Sequence, residues 1–228
     1  MDFHDRTVVV TGGTGALGRA VVAALLASGA RCRVPYIREA EVASFPYKDR
    51  VTLVANCELT DEDDVTRLYK GADGLWASIH IAGGFAMGKL VDTGKADLRE
   101  MLNTNLVSCH LCCRAAVRAF AAGGRIVNVG ARPGFEPRLG AGMSAYAASK
   151  AAVIALTQAL AAELAPQDVL VNAVVPSIID TPANRKSMPD ADHAAWPKPE
   201  EIAATIAFLA SPDNKVTTGA AVPVYGRT

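Results

Sequence analysis

A chain of 228 residues, half of them hydrophobic, is long enough for one α/β domain with a sizeable core, and no Pro/Ser-rich linker or charge block divides it. Its 23 acidic and 23 basic side chains balance, which leaves no electrostatic footprint for nucleic acid or an anionic membrane. The opening MDFHDRTVVV carries acidic residues and no long apolar run, so the expectation is a cytoplasmic protein without a signal peptide or membrane span.

Residues 6–13, RTVVVTGG, are a β-branched run ending in glycines and predict a buried strand. Residues 16–30 then show helical periodicity up to a glycine stop. RCRVPYI (31–37) predicts a second strand and RVTLVANCEL (50–59) a third. DEDDVTRLYKG (61–71) starts with carboxylates where a helix dipole favours them. GLWASIHIAGG (74–84) predicts the fourth strand, 97–120 a long helix, and GGRIVNVGA (123–131) the fifth strand. A helix over 144–166, a strand over 169–177, a helix over 199–211 and a last strand over 217–226 complete the order. Strands alternating with helices of these lengths predict a single Rossmann-type domain over 1–228: a doubly wound, mostly parallel seven-stranded sheet with helices on both faces.

Ligands of such sheets bind outside the carboxyl ends of the strands. Gly12–Gly18, Ala82–Gly84, Gly130–Ala131 and Pro176–Thr181 all fall there. GGTGALG contains Gly13-x-Gly15-x-x-Gly18 between a strand and a helix, where glycines permit a tight turn and let backbone N–H groups approach a pyrophosphate. Gly12, Gly13, Thr14, Gly15, Ala16, Leu17 and Gly18 are therefore candidate dinucleotide contacts. The second strand ends in VPYIRE, with no carboxylate for a ribose 2′-OH at the expected place and Arg38 just beyond. That tilts the choice between NAD(H) and NADP(H) mildly toward NADP(H), whose 2′-phosphate an arginine pairs with. The alternative is an ordinary solvated arginine.

Tyr146 and Lys150 stand four residues apart on an alanine-rich helix, hence on one face. A lysine ammonium beside a phenol lowers its pKa, making it a usable acid or base. The strand end before the pair, Val129-Gly130-Ala131, offers no hydroxyl to polarise a substrate. Ser144 lies two residues before Tyr146 and so faces away from it. CHLCC (109–113) reads either as a metal site or as small apolar residues on a helix; the second is the expectation, with no metal. His80, at a strand end, reads as a satisfied half-buried histidine, and His193 as solvated.

With TGGTGALG, AGG (82–84), Asn105 in NTNL, YAASK and NAVVPSIIDTP placed, the chain resembles the short-chain dehydrogenase/reductase family along essentially its whole length. The resemblance implies an NAD(P)-dependent oxidoreductase. It makes Tyr146 the catalytic acid/base, Lys150 the ribose-binding and pKa-lowering partner, and Asn105 the holder of a proton-relay water. It adds Ala82, Gly83, Gly84, Pro176, Ile179 and Thr181 to the cofactor contacts, Ser177 and Thr181 facing the nicotinamide carboxamide. It also implies a homodimer or homotetramer through the long helices flanking the fifth strand.

Departures are Ala131 where the family carries a catalytic serine, His80-Ile81 where it carries paired asparagines, and Ala16 in the cofactor loop. A narrower resemblance, carried by GGTGALG, AGGFA, GAR…GMSAYAASK and DTPANRKSMPDADHAAW (180–196), is to the dihydropteridine reductases, which also lack that serine. It implies reduction of a quinonoid dihydropterin or similar activated heterocycle. The alternatives are a 3-oxoacyl or small-ketone reductase and an inactive dinucleotide-binding sensor. Residues 180–196 then read as a substrate lid, with Ala131, Asn184, Arg185 and Trp196 as candidate substrate contacts.

Overall fold

The computed structural model describes residues 1–228. Seven strands form one sheet in the order β3-β2-β1-β4-β5-β6-β7: β1 Thr7–Thr11, β2 Arg31–Pro35, β3 Thr52–Val54, β4 Leu75–His80, β5 Gly124–Val129, β6 Val169–Pro176 and β7 Ala221–Val224. Every neighbouring pair is parallel, so the sheet is wholly rather than mostly parallel. Parallel pairing requires a crossover after each strand, and the crossovers cover both faces. The strands accordingly lack polar/apolar alternation: β1, β5 and β6 are buried along their whole length.

The strand order turns back between β1 and β4, the switch point at which a crevice opens. In-register pairing of Thr11 with His80, and of His80 with Asn128, brings the strand ends to one rim. One core lies between the sheet and helices α1 (Ala16–Ala27) and α9 (Pro199–Ala210), with Val8, Val10, Ile79, Val127 and Ile206 at its centre. The other lies under α3 (Glu62–Lys70), α5 (Ser108–Ala119) and α7 (Ser144–Leu164), around Val9, Leu68, Ile126 and Val171. Burying each such side chain contributes about 1.5–3 kcal/mol before entropy is counted.

The long helix expected over 97–120 is interrupted. α4 (Lys95–Leu102) and α5 are joined by a π-helical turn, Asn103–Val107, and such turns recur at functional sites. Three short helices escape the sequence pattern: α2 (Glu39–Ala43), α6 (Arg132–Phe135) and α8 (Pro182–Ser187). Each is too short to show a period. By length and composition α7 suits a membrane span, yet Val153, Ile154, Thr157, Ala161 and Leu164 along it are buried within the fold.

Candidate active site

The glycine loop between β1 and α1 is shaped by close contacts that only hydrogen side chains allow. Gly12 adopts φ +66°, and a Cβ there would lie 2.7 Å from the Ala82 nitrogen. A Cβ on Gly18 would lie 2.0 Å from the Gly12 carbonyl oxygen, and one on Gly13 2.8 Å from Val34 Cγ1. These glycines weld the turn to β2, to the β4 end and to itself. Gly15 and Ala16 are exposed on the outer side of the loop. Gly15 caps α1 without any side-chain acceptor, so the first-turn N–H groups point outward unsatisfied. Exposed donors and the positive helix end suit a pyrophosphate.

Across the switch point, Ala82 and Gly83 line a cavity of about 540 Å³ that extends to Ile37, Thr60 and Asn103. Asn105, buried in the π-turn, holds this wall: its Oδ1 accepts from Gly84 N at 2.9 Å, and its Nδ2 donates to Gly84 O at 3.1 Å. The same amide donates to Ser149 Oγ at 3.0 Å, and Ser149 Oγ donates to the Tyr146 carbonyl at 2.7 Å. A Cβ on Gly83 would meet Asn105 Oδ1 at 2.6 Å and Lys150 Nζ at 3.2 Å. Asn105, Gly83 and Lys150 therefore meet at one point, with Tyr146 one helical turn before Lys150.

Lys150 is buried, and its Nζ donates to Val129 O at the end of β5 at 2.9 Å. Burial pulls its pKa down to about 8. The Tyr146 ring stacks edge-on against Phe85 at 4.9 Å. The expected lowering of its pKa by Lys150 is not what the structure shows: burial pushes the phenol up to about 12. Burial is the cause of the shift, and the Lys150 ammonium is engaged by the Val129 carbonyl. Tyr146 is consequently a protonated acid at neutral pH, the state that donates in a reduction.

Residues 13–226 match the family described as enoyl-(acyl carrier protein) reductase. The chain belongs to the short-chain dehydrogenase/reductase family. It is 30% identical to the 3-oxoacyl-[acyl-carrier-protein] reductase of Vibrio harveyi, over 99% of this chain and 98% of that one. It is 29% identical to the cyclic-di-GMP-binding biofilm dispersal mediator protein of Escherichia coli K12, over 98% and 97%. A short-chain dehydrogenase of Burkholderia cenocepacia, solved in complex with NADP, superposes with a TM-score of 0.85 at 29% identity, covering 99% of this chain and 98% of that one. This short-chain dehydrogenase/reductase is an NAD(P)-dependent oxidoreductase.

Around that centre, the other candidates fall out differently. Arg38 is 80% exposed and paired with Glu41 at 3.1 Å, and Glu41 in turn accepts from Thr14 Oγ1 at 3.3 Å. Arg19, overlooked in the sequence, donates to the Thr14 carbonyl at 2.7 Å and to Ser44. The loop is thus flanked by two arginines and one carboxylate. Pro176 ends β6, and Ser177 Oγ donates to the Tyr225 carbonyl at 2.9 Å. Thr181 caps α8, accepting from Asn184 N. Ala131 is buried directly after β5, and Ser144 is exposed at the start of α7.

Within 180–196 the side chains serve the segment itself. Asn184 Nδ2 donates to Ile179 O at 2.8 Å, and Arg185 grips Asp180 with two hydrogen bonds of 2.5 and 2.7 Å. Trp196 is buried, with the His193 ring 4.6 Å away. The aromatic cap expected of Trp196 is therefore packed into the base of the segment, and His193 is half-buried against it rather than solvated. Nothing in the spacing of Glu41 and Arg19 marks them, whereas Ser149 carries a signal, one turn from Tyr146 in YAASK.

Proposed function

We propose that this oxidoreductase reduces an electron-poor, conjugated acceptor of the quinonoid dihydropterin kind, with Tyr146 as proton donor and NADP(H) as the preferred cofactor. Ala131 carries the reading: it puts a buried methyl, not a hydroxyl, at the end of β5. A second donor at a developing alkoxide contributes about 2.7–4 kcal/mol. An unactivated ketone would go without that help, roughly a hundredfold or more in rate. A quinonoid ring needs less, because reduction restores its aromaticity. The resemblance of 180–196 to the dihydropteridine reductases supports the same substrate class.

The cradle fits the dinucleotide, and a bound nicotinamide supplies hydride. Tyr146, held protonated by burial, gives the proton. In this reading Lys150, its Nζ anchored on Val129 O, is the ribose-binding group, and Asn105 fixes the Gly84 backbone and the start of the proton relay. Arg19 and Arg38 outweigh Glu41 in charge at the adenosine end, which supports the 2′-phosphate preference.

A second reading, reduction of a β-ketoacyl substrate, is favoured by Phe85, exposed and edge-on to Tyr146, with Met87 and Leu90 exposed on the same loop. The name of the Vibrio harveyi relative points the same way. The outer face of α7, with Ala148, Ala155, Ala159 and Ala162 exposed, supports a dimer or tetramer; the five free cysteines support a reducing compartment.

The test is NADPH and NADH oxidation with quinonoid dihydropterin and, separately, with a simple β-ketoester. The proposal expects Tyr146-dependent turnover of the pterin, faster with NADPH, and no gain for it in Ala131→Ser. Turnover of the ketoester alone, rising in Ala131→Ser, would overturn it in favour of the second reading.

A further inference from the structure

Behind the active site, four side chains from three elements converge on one buried point. His80 ends β4, Asn128 lies beside it on β5, and Cys109 and Cys113 stand one turn apart on α5. All four are 5% exposed or less. His80 Nδ1 lies 2.8 Å from Asn128 Oδ1, 3.5 Å from Cys113 Sγ and 3.9 Å from Cys109 Sγ. Asn128 Oδ1 lies 3.3 Å from Cys109 Sγ and 3.7 Å from Cys113 Sγ. The ligand atoms of His80, Cys109 and Cys113 all lie within 4.8 Å of one another, and the Asn128 carbonyl oxygen faces all three.

The same distances describe a coordination polyhedron. A tetrahedral zinc ion with bonds of about 2.3 Å to sulfur and about 2.0–2.2 Å to nitrogen and oxygen has sulfur–nitrogen and sulfur–oxygen edges of roughly 3.5–3.6 Å. The four observed edges scatter around that length within 0.4 Å. The nitrogen–oxygen edge, 2.8 Å here, would open to about 3.4 Å on binding. We propose that His80, Cys109, Cys113 and Asn128 form a buried structural site for a thiophilic divalent cation of the zinc class.

The surrounding groups are arranged as such a site requires. Asn128 Nδ2 donates to Thr157 Oγ1 at 2.9 Å, and that hydroxyl spends its proton on Val153 O. The amide cannot flip, so Oδ1 must face the cluster. His80 Nε2 contacts Ser78 Oγ at 2.8 Å, and Ser78 Oγ contacts the Tyr69 hydroxyl at 2.6 Å. A hydroxyl pair can run in either direction. It donates to Nε2 when Nδ1 carries the proton, and accepts from Nε2–H when Nδ1 turns its lone pair to a metal. This is the outer hydrogen bond that ligating histidines depend on. On binding, both thiols release their protons to solvent, the imidazole keeps one proton on Nε2, and the site becomes neutral overall.

The location suits a brace. Val129, next to Asn128, supplies the carbonyl that holds Lys150, and the π-turn ends two residues before Cys109. Cys112 takes no part, since its thiol faces Tyr69 rather than the cluster.

The experiment uses the full chain under reducing conditions, loaded with Zn²⁺ or Co²⁺ both by addition to native protein and by refolding in the presence of the ion, then dialysed. One retained equivalent per chain is expected in the wild type and in Cys112→Ser, and none in the Cys109→Ser/Cys113→Ser double variant. The cobalt form should show tetrahedral d–d bands and thiolate charge transfer. Ser78→Ala should weaken binding about 10–100-fold, a loss that a merely packed thiol cluster would not show. Retention of no ion by either route, or equal retention in the double variant, would overturn the assignment. So would an octahedral cobalt spectrum. If the double variant does not fold, the wild-type cobalt spectrum and Ser78→Ala decide alone.

Discussion

Replacing Lys150 with methionine should stabilise this protein while disabling it. Lys150 is 6% exposed, and burial draws its pKa from 10.5 down to about 8. At about 1.4 kcal/mol per tenfold, holding that charge costs the folded state about 3 kcal/mol below pH 8. Methionine fills similar volume without a charge but leaves Val129 O unpaired, a loss of about 1 kcal/mol. Lys150→Met should therefore be more stable at pH 7 by about 2 kcal/mol, or about 4–8 °C in Tm for a chain of this size. The pH dependence fixes the sign. The unfolded lysine keeps its proton up to 10.5 while the folded one releases it above about 8. Between those values the unfolded state binds more protons, so wild-type stability rises with pH. Above 10.5 the penalty is gone, and the lost hydrogen bond leaves the variant the weaker by about 1 kcal/mol. Urea unfolding of both proteins at equal concentration, at pH 7 and pH 11, measures both gaps. A Lys150→Met protein less stable at pH 7, or a gap that ignores pH, would refute the reasoning.

Tyr146→Phe should lower kcat by about 10²–10⁴-fold, while fluorescence titration shows NADPH binding unchanged, because the phenol hydroxyl supports no neighbouring backbone. Gly18→Ala drives a Cβ into the Gly12 carbonyl at 2.0 Å; dinucleotide affinity should collapse, and a normal Kd by titration would show that the loop tolerates rearrangement. Asn105→Ala takes the side-chain partner from both the Gly84 N–H and the Gly84 carbonyl, and should cost about 1–3 kcal/mol in chemical denaturation. Asn105→Asp, which keeps the acceptor for Gly84 N, should recover part of that stability.

The amino-acid sequence alone carried the layer order, because strands buried on both faces must be apolar throughout and their crossovers must be periodic helices. It carried the cofactor loop as well, since Gly18 packs on the Gly12 backbone six residues away and Gly12 itself takes a positive φ, both needs of the turn alone. Tyr146 and Lys150 were legible for the same reason: helical spacing is a local rule. Short elements were not legible. α2, α6 and α8 hold through caps and neighbours, not through a period that four to six residues could display.

What only the tertiary structure decided is the environment of each group. Lys150 donates to the Val129 carbonyl and burial holds Tyr146 a weak acid, neither of which the spacing of two residues reveals. Trp196, expected over a substrate, is buried because the 180–196 segment folds onto itself through Asn184 and the Arg185–Asp180 pair. CHLCC reads along the chain as three small residues on a helix. Only the packing of α5 against β4 and β5 sorts Cys109 and Cys113 toward His80 and Cys112 away from it. Local sterics are written in neighbouring letters, whereas desolvation and convergence depend on which distant strands lie side by side.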